Sequence, residues 1–457
     1  MDIHASTAPL APHPGPLKGA AVRQLWVLMA TVFVDMIGFT IVLPLLPFYA
    51  TRFGARPAMV GVLISAFAFA QLVTSPFWGR LSDRYGRRPM ILTGLVLSAV
   101  AYVLFGLAHS LVALFLSRLV QGMGSGTTGV VQAYVSDSIA PEERAKALGW
   151  VTAATSLGVT IGPLIGSFAT YLGPSAPGYL AAGLCVANVL SAARWLPESK
   201  AKDDPGQRKP ERRLAGALWD VFTHPTSAVG SLIWLYAIGM MAFMAMNGVL
   251  ALYLRQEYAV NERTIGWFYT YVGAIGVVMR AVLLGPLVRR FGEVGVMRLG
   301  TLALASGMAI LPVPAWLPLP MPGRLAALAF VVLLMPVGTA LLFPSTTALV
   351  SRRSPRNETG QLMGVQQAFG GVSRLLGPMW STALFGWRVA APFWAAAALM
   401  MGGRLLTLRM EHEKPRPPSA GDRADLDLDA APLGSLPPPL VGEPCPPPAE
   451  AVASPAS

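Results

Sequence analysis

Residues 24–49 read QLWVLMATVFVDMIGFTIVLPLLPFY, an almost unbroken apolar run whose single charged side chain is Asp35. A helix of about 20 apolar residues is long enough to cross the ~30 Å hydrocarbon core of a bilayer. Similar runs recur along the 457-residue chain, of which 54% is hydrophobic and 13% charged. We therefore predict an all-α protein that crosses a membrane many times. We expect no cleaved signal peptide, because the first run lacks a small-residue cleavage site and further apolar runs follow it.

The apolar pattern predicts twelve spans, six on each side of a polar segment. They start near Gln24, Met59, Pro89, Leu111, Arg144, Pro177, Ala228, Arg263, Gly295, Arg324, Gln361 and Val389. This divides the chain into an N-terminus (1–22), a six-helix bundle (23–196), a charged linker (197–227), a second six-helix bundle (228–410) and a Pro-rich tail (411–457). Because polar, Pro-rich segments do not sustain helices, we expect both ends to be disordered.

The net charge of +12 lies mainly between the spans. Basic residues cluster after the second, sixth, eighth and tenth spans, so the positive-inside rule places those connections and both termini in the cytoplasm. We expect a multi-pass protein of the inner (plasma) membrane that works as a monomer. Five basic residues fall on the opposite side and break the rule: Arg52, Arg56, Arg255, Arg263 and Arg388. No basic face with interleaved aromatics is present, so lipid and not nucleic acid is the predicted partner.

The two halves of the chain are related to each other. An offset of 215 places Ala133, Val135 and Ser136 on Ala348, Val350 and Ser351, Gly149 on Gly364, and Gly162-Pro163 on Gly377-Pro378. An offset of 206 pairs GRLSDRYGRR (79–88) with GPLVRRFGEV (285–294). These matches indicate a duplication. Duplicated bundles with a site near the bilayer midplane between them are a recurring transporter design.

Residues 79–89, GRLSDRYGRRP, form a short connection with two glycines, one acid and a basic cluster. It resembles the loop signature of the major facilitator superfamily, with matches at Gly79, Leu81, Asp83, Arg84, Gly86, Arg87 and Arg88. The resemblance implies the major facilitator fold, in which two six-helix bundles enclose a central cavity. The glycines permit a tight turn, and an acid at a helix end can accept charge-assisted hydrogen bonds. We interpret the loop as a conformational gate; the alternative is an ordinary basic inside loop.

Residues 134–144, YVSDSIAPEER, close the fourth span and resemble the family's partner segment to that loop. Asp137 is then the candidate acceptor for Arg87 or Arg84; the alternative is an ordinary acid at a helix end. The matching positions of the second half are Arg289 and Arg352, which are basic. We therefore expect an asymmetric gate, with the second half held by other contacts.

Asp35 lies in the middle of the first span, where a charge costs ~2.5–3.5 kcal/mol, so it should face a cavity. Its surroundings resemble the first helix of tetracycline-efflux-like and multidrug proton antiporters, which implies that this acid serves proton coupling or drug binding. Arg118 begins RLVQGMG, which resembles the family's buried-Arg motif. A buried guanidinium stays protonated and would act on a nearby carboxylate, with Asp35 as the candidate partner. A static ion pair or packing salt bridge is the alternative for both residues.

Residues 158–166, GVTIGPLIG, resemble the antiporter motif that exporters of this superfamily carry, through Gly158, Gly162, Pro163 and Gly166. Glycines four residues apart let helix backbones approach closely, and the proline removes one backbone hydrogen bond. The family's final glycine is Ser167 here. Generic packing of small residues is the alternative interpretation, but the motif is the best sequence indication that transport runs outward.

Three polar residues inside spans, Gln121, Asn247 and Arg374, are candidates for the substrate cavity, and Arg374 is a candidate for binding an anionic group of the substrate. The alternatives are that Arg374 pairs with a backbone carbonyl or a distant acid, and that the surface with Asn247 faces lipid. Arg280 also lies inside a span and should face protein or water. No catalytic triad, metal-ligand cluster or phosphate-binding loop is apparent, so we predict neither an enzyme nor a cofactor or metal. The resulting hypothesis is a proton-coupled exporter of small amphiphilic compounds such as drugs. A metabolite exporter or importer of the same fold, or a membrane sensor without transport, remains the alternative.

Overall fold

The computed structural model describes residues 19–139, 141–199, 214–355 and 358–406, and within these ranges every regular element is helical. The helices are α1 (Gly19–Val42), α2 (Leu46–Arg52), α3 (Pro57–Tyr85), α4 (Arg87–Gly106), α5 (Leu111–Gly124), α6 (Thr127–Ser138), α7 (Pro141–Ala169), α8 (Ala176–Trp195), α9 (Leu214–Thr223), α10 (Gly230–Tyr258), α11 (Ile265–Val278), α12 (Leu284–Ile310), α13 (Val313–Trp316), α14 (Met321–Val332), α15 (Leu334–Arg353), α16 (Thr359–Trp387) and α17 (Ala391–Leu405). A 3₁₀ turn (Thr170–Leu172) follows α7, and a π-helical turn (Met279–Leu283) joins α11 to α12. Most of both predicted disordered ends, and residues 200–213 of the predicted linker, lie outside the described residues.

Eight stretches of the described residues are long and apolar enough to cross a membrane. Seven of them each cover one predicted span, and the eighth, the 52-residue stretch Ile265–Trp316, covers two. Gly292 divides α12 within that stretch, because its φ of 69° interrupts the helix. The remaining predicted spans coincide with the pair α5 and α6, with α16 and with α17. The protein is therefore an all-α membrane protein whose helices fall on the predicted spans.

Three predicted spans are interrupted, and the tenth span breaks at Leu333, between α14 and α15. The first breaks between Val42 and Leu46, where Pro44 cannot continue the backbone ladder. The fourth breaks after Gly124, and there the Met123 carbonyl accepts a 2.6 Å hydrogen bond from Trp78 Nε1 of α3. A carbonyl engaged by a neighbouring side chain is a recognised cause of a helix break.

The predicted linker (197–227) is not uniformly irregular, since α9 occupies part of it. Val221 of α9 is buried, and its carbonyl accepts a 3.1 Å hydrogen bond from Trp234 Nε1 of α10. The Phe222 ring also packs on the Trp234 ring, with centroids 6.0 Å apart. The charge-rich sequence predicted a connection only, because the apolar face of this short helix follows many polar residues.

We call α1–α8 the first half of the protein and α10–α17 the second half. They meet along α3 and α16, where a Cβ added to Gly61 would lie 2.0 Å from Thr382 Oγ1 and 2.6 Å from the Pro378 carbonyl. Ser65 Oγ donates a 2.6 Å hydrogen bond to the Leu375 carbonyl. This close contact requires glycine at position 61.

The contact between α3 and α16 runs along only part of α3. A Cβ added to Gly371 would lie 3.0 Å from Leu72 Cδ1, whereas one added to Gly79, two turns beyond Leu72 on α3, would meet nothing within 4 Å. Pro76, between them on the same face, is exposed. The halves are therefore joined at the end that holds Gly61, which we call the closed end. They diverge toward the end that holds Gly79, which we call the open end.

Candidate functional site

Asp35 lies on α1 beside a cavity of about 230 Å³. The cavity lies within the first half, and it is lined by Thr31, Val32, Asp35 and Met36 of α1, Ile91 and Leu95 of α4, Thr127, Val131 and Gln132 of α6, and Val151, Thr152 and Thr155 of α7. Most of these side chains are apolar, and the polar ones are hydroxyls and one amide. The carboxyl group is thus held among groups that offer hydrogen bonds but no compensating positive charge.

Tyr102 of α4 connects the surroundings of Asp35 to those of Arg118. Its ring packs on Gly38, one helical turn from Asp35, where an added Cβ would lie 3.0 Å from Cε2. Its hydroxyl accepts a 2.7 Å hydrogen bond from Gln121 Nε2 of α5. The phenol is close enough to interact electrostatically with both Asp35 and Arg118. Tyr102 therefore contacts the neighbourhoods of both residues that the sequence predicted to meet.

Arg118 is almost completely buried, with 1% of its surface exposed. Its guanidinium carbon lies 5.7 Å from the centroid of the Phe105 ring, a cation–π contact. Within the part of the chain that the structure describes, Nε and Nη2 of Arg118 have no hydrogen-bond partner. No ion pair joins Arg118 to Asp35 there either, so the expected direct pairing is absent in this conformation. The buried guanidinium thus retains unused donors.

Sequence reasoning missed Tyr102, because an uncharged phenol in an apolar span gives no electrostatic signal. The only available indication was that it is the sole tyrosine of α4. Two further polar contacts to α1 come from α8. Cys185 is fully buried and lies close enough to Asp35 for an electrostatic interaction. Asn188 Nδ2 donates a 2.9 Å hydrogen bond to the Thr31 carbonyl.

The three glycines of the predicted antiporter motif form one strip of α7 that packs directly on the backbone of α1. A Cβ added to Gly158 would lie 2.7 Å from the Phe33 carbonyl, and one added to Gly166 would lie 2.6 Å from the Ile41 carbonyl. At Gly162 the added atom would lie 2.0 Å from Thr40 Oγ1. The strip thus follows α1 from Phe33, just before Asp35, to Ile41.

The opposite edge of α7 packs on α11 of the second half. A Cβ added to Gly266 would lie 2.3 Å from the Pro163 carbonyl, and Thr270 Oγ1 donates a 3.0 Å hydrogen bond to the Thr160 carbonyl. Ser167 Oγ accepts a 2.8 Å hydrogen bond from the Gly266 backbone N–H, in the first turn of α11. The serine that departs from the family motif thus satisfies a helix N-terminus in the other half.

The closed end carries polar links between the halves. Arg52 pairs with Glu262, and Arg255 Nη1 donates to Thr51 Oγ1. Arg263 lies over the Tyr171 ring, with its guanidinium carbon 4.9 Å from the centroid. Three of the five basic residues that break the positive-inside pattern therefore join the halves. Arg56 has no such role in the described structure, and Arg388 lies over its neighbour Trp387.

Gly86 makes the turn between α3 and α4 at the open end, with φ of +99°. An added Cβ would lie 2.5 Å from Glu198 Oε2. The Glu198 carboxylate accepts hydrogen bonds from the backbone N–H groups of Arg87 (2.8 Å) and Arg88 (3.1 Å). It therefore stabilises the N-terminus of α4, where negative charge is favoured. Sequence reasoning missed Glu198, because it lies more than one hundred residues away.

Arg87 is the centre of the predicted gate. Its side chain bonds to Asp137 Oδ2 through Nε at 2.9 Å and to Asp83 Oδ1 through Nη1 at 2.8 Å. Nη1 also donates a 2.6 Å hydrogen bond to Ser82 Oγ. Arg84, the other predicted partner of Asp137, instead lies over the Tyr85 ring at 5.5 Å. Of the two candidates, Arg87 is thus the one that pairs with Asp137.

Two other residues of the loop lie elsewhere than expected. Gly79 does not contribute to the turn; it lies inside α3, seven residues before Gly86. A Cβ added to Gly79 would meet nothing within 4 Å, so no close contact requires glycine there. Arg88 Nη2 donates to the Ala193 carbonyl at the end of α8. The loop is thus attached to both α6 and α8.

We expected other contacts to hold the second half, but the described structure has an equivalent charge pair there. Glu293 (87+206) pairs with Arg352 (137+215) at 3.2 Å, which repeats the Arg87–Asp137 pair with the charges exchanged. Gly292 (86+206) also repeats the positive φ of Gly86. Sequence comparison missed the pair because it compared positions 83 and 137 one at a time, and each showed a reversed charge.

The three cavity candidates are not brought together. Gln121 is buried in the first half and bound to Tyr102, so it belongs to the Asp35 region. Asn247 of α10 is half-buried and donates to the Phe243 carbonyl at 2.8 Å. Arg374 of α16 lies in the second half beside Tyr236. Among the described residues, no cluster of His, Cys, Asp or Glu could hold a metal ion.

Comparisons with known proteins agree with this architecture. The profile of the Major Facilitator Superfamily matches residues 28–378 and again 232–448. The chain is 29% identical over 392 residues to Multidrug resistance protein 2 of Bacillus subtilis (strain 168), covering 85% of this chain and 95% of that protein. It is 25% identical over 356 residues to the class B Tetracycline resistance protein of Escherichia coli, covering 77% and 86%. The crystal structure of the nucleoside transporter NupG superposes with a TM-score of 0.70 at 13% identity, over 85% of this chain and 99% of that one.

Proposed function

The chain belongs to the Major Facilitator Superfamily, and from this premise we propose that it exports small amphiphilic compounds, drugs among them, in exchange for protons. Its relatives and structural neighbours are transporters and not enzymes. The relatives named for multidrug and tetracycline resistance cover most of this chain, which supports drug export. We assign the protein to the plasma membrane, with both termini in the cytoplasm, from the distribution of its basic residues.

The observation that carries the proton-coupling proposal is the position of Asp35. It is the only acid that the sequence places in the interior of a predicted span. Its carboxyl group borders a cavity without a paired cation among the described residues. A carboxyl group in such a place is stable when neutral and becomes charged only when the surroundings supply water or a cation. Asp35 is thus suited to take up a proton in one conformation and release it in another.

Arg118 supplies the cation in this proposal. Its unpartnered Nε and Nη2 are available to a carboxylate that approaches in the other conformation. Tyr102 links the two groups in this proposal, since it packs one turn from Asp35 on α1 and accepts a hydrogen bond from Gln121, three residues after Arg118 on α5. Arg118 itself keeps its proton, so its role is to favour the ionised form of Asp35 and thereby proton release.

The coupling of Asp35 to conformation runs through α7. One edge of α7 is fixed to α1 by the glycine strip, and the other edge binds α11 through Ser167 and Thr160. A change in the position of α1 on protonation therefore moves α7 against the second half. In the proposed cycle, substrate enters from the cytoplasm at the open end. The polar links at the closed end then break to release it outside.

The gate residues at the open end hold the first half together in this proposal. Arg87 joins the α3–α4 turn to α6, and Glu198 joins the same turn to the segment after α8. These contacts make residues 23–196 one rigid body that rocks against residues 228–410. Each body is complete in one chain, so the monomer is the working unit.

Everted membrane vesicles test the proposal. A panel of toxic amphiphiles first identifies a compound to which expression of the protein confers resistance, with cellular accumulation measured with and without a protonophore. In vesicles, that compound should then discharge an imposed pH gradient. Asp35→Asn should abolish this coupled flux, while Asp35→Glu should retain part of it. Full coupling in Asp35→Asn would exclude Asp35 as the proton carrier, and accumulation that rises with expression would favour the importer alternative.

A further inference from the structure

The second half presents an unpaired positive charge to the space between the halves. From Ile265 to Leu406 the described sequence contains only two acids, Glu293 and Glu358, and both lie near helix ends. Arg374 lies in the middle of α16, fifteen residues after Thr359 and thirteen before Trp387. In the described part of the chain it forms neither an ion pair nor a hydrogen bond. A guanidinium cannot lose its proton in this setting, so its charge must be met by water or by a ligand.

The register of α16 fixes the direction in which Arg374 points. Gly370 and Gly377 face α10, where added Cβ atoms would meet Tyr236 and Met241. Gly371 and Thr382 face α3, where an added Cβ on Gly371 would meet Leu72 and the Thr382 side chain approaches Gly61. At 100° per residue, position 374 lies between these two edges of the helix. The Arg374 side chain therefore projects into the groove between α10 and α3, which are helices of different halves.

The two glycines one turn before Arg374 leave room for the side chain in this groove. Its terminal nitrogens would lie 3.8 Å from a Cβ at Gly370 and 3.9 Å from one at Gly371. Arg374 is half-buried, so the guanidinium is neither packed away in the second half nor fully in bulk solvent.

An aromatic wall adjoins Arg374. Tyr236 of α10 interacts electrostatically with the guanidinium, and its ring packs edge-on against Phe343 of α15 at 5.4 Å. Phe243 of α10 packs against the Phe343 ring as well, with centroids 6.2 Å apart. Tyr236, Phe243 and Asn247 follow one another at helical spacings of seven and four, so they occupy one face of α10. Tyr236 itself is buried, so the half-buried rings of Phe243 and Phe343 offer the apolar surface, and Asn247 adds one amide.

A second cation, Arg280, lies in the π-helical turn that follows α11. Gly273 approaches Thr160 of α7, and Gly276 approaches Pro336 of α15. Arg280 follows Gly276 by four residues along the chain. It is exposed, and among the described residues it has no ion-pair partner. The second half therefore carries two cations, Arg374 and Arg280, that have no ion-pair partner among the described residues.

We propose that the transported amphiphile carries an anionic group, a carboxylate or sulfonate, which binds Arg374, while its aromatic body packs on Phe243 and Phe343. A planar guanidinium binds a carboxylate through two parallel hydrogen bonds, and the interaction is strong where water is limited. Arg280, nearer the open end, attracts the anion toward the groove. This inference rests on the proposed export function and restricts its substrates.

A matched set of dansyl compounds tests the inference. Dansylglycine carries a carboxylate, its methyl ester is neutral, and dansylcadaverine is a cation, so the aromatic body is constant. Binding to the purified full-length protein is measured by energy transfer from tryptophan. We expect dansylglycine to bind at least about tenfold more tightly than its ester. Arg374→Gln should remove that preference, Arg374→Lys should keep part of it, and Arg388→Gln, at the closed end, should leave it unchanged.

Transport in proteoliposomes with an imposed pH gradient separates the two proposals. Dansylglycine binding that depends on Arg374 but drives no proton-coupled flux would support the anion site and overturn the proposed antiport. Proton-coupled export of dansylcadaverine, without binding of dansylglycine, would overturn the anion site and leave antiport intact. If Arg374→Gln does not fold, Arg374→Lys and Arg280→Gln are compared with the wild type instead, and each should reduce the preference for the carboxylate. Equal affinity of the wild type for dansylglycine and its ester refutes the inference without any variant.

Discussion

Replacing the three charged residues of the first-half gate by those of the second half should preserve transport. The variant combines Asp83→Arg, Arg87→Glu and Asp137→Arg, which copies Arg289, Glu293 and Arg352. The second half already pairs Glu293 with Arg352, so this arrangement is compatible with the same turn geometry. Arg87→Glu alone instead places three acids together.

The expected size of the effect follows from the solvent exposure of the side chains that pair with Arg87. The Asp137 side chain is 33% exposed and the Asp83 side chain is 62% exposed, so water screens both pairs with Arg87. Pairs of this kind contribute about 0.2–1 kcal/mol each. Losing both therefore costs about 1 kcal/mol, or roughly a fivefold change in a conformational equilibrium. Repulsion among the acids in Arg87→Glu adds a cost of similar size.

The assay is the initial rate of coupled transport in everted vesicles, normalised to the amount of folded protein. We expect Arg87→Glu to lose about fivefold or more and the triple variant to remain within about twofold of wild type. Arg84→Gln is the matched control, because Arg84 contacts only the Tyr85 ring among the described partners and should transport normally. If the triple variant is as slow as Arg87→Glu, the charge pair is not what the gate requires.

Three further outcomes follow from the described contacts. Tyr102→Phe keeps the ring but removes the hydroxyl beside Asp35, so proton-coupled flux should fall while substrate binding to purified protein is retained. Ser167→Ala removes the hydrogen bond to Gly266, worth about 1 kcal/mol, and should raise labelling of cysteines introduced at the closed end about fivefold, whereas an unchanged labelling rate would contradict a latch there. Gly86→Ala must strain a φ of +99° and displace the Glu198 carboxylate, so folded yield should fall, whereas Gly79→Ala should be tolerated.

The fold could be predicted from sequence because each span satisfies a local rule. Apolar length alone identifies most spans, and the duplication register adds a check that does not depend on hydropathy. The breaks were missed where their cause is a partner from elsewhere in the chain, as with Trp78 and the Met123 carbonyl. Helix α9 was missed because its burial depends on Trp234 of α10.

The site could be predicted only where a residue conflicts with its surroundings. Asp35 and Arg118 are charged residues in apolar spans. Because a charge inside a membrane is energetically costly, the sequence alone singled them out. Tyr102 and Glu198 carry no such conflict, and their roles come from neighbours that lie 19 and 111 residues away in sequence. Ser167 was visible only as a departure from a motif, and its partner Gly266 lies in the other half.

The reversed polarity of the two gate pairs has a consequence for how a duplicated chain assembles. Two bundles with similar sequences risk exchanging equivalent segments while they fold. If the turn at Gly86 packed against the end of α15, Arg87 would face Arg352; if the turn at Gly292 packed against α6, Glu293 would face Asp137. Both errors bring like charges together, which is unfavourable, whereas both correct pairings bring opposite charges together. The exchanged charges thus favour packing of each turn against its own bundle and disfavour packing against the other.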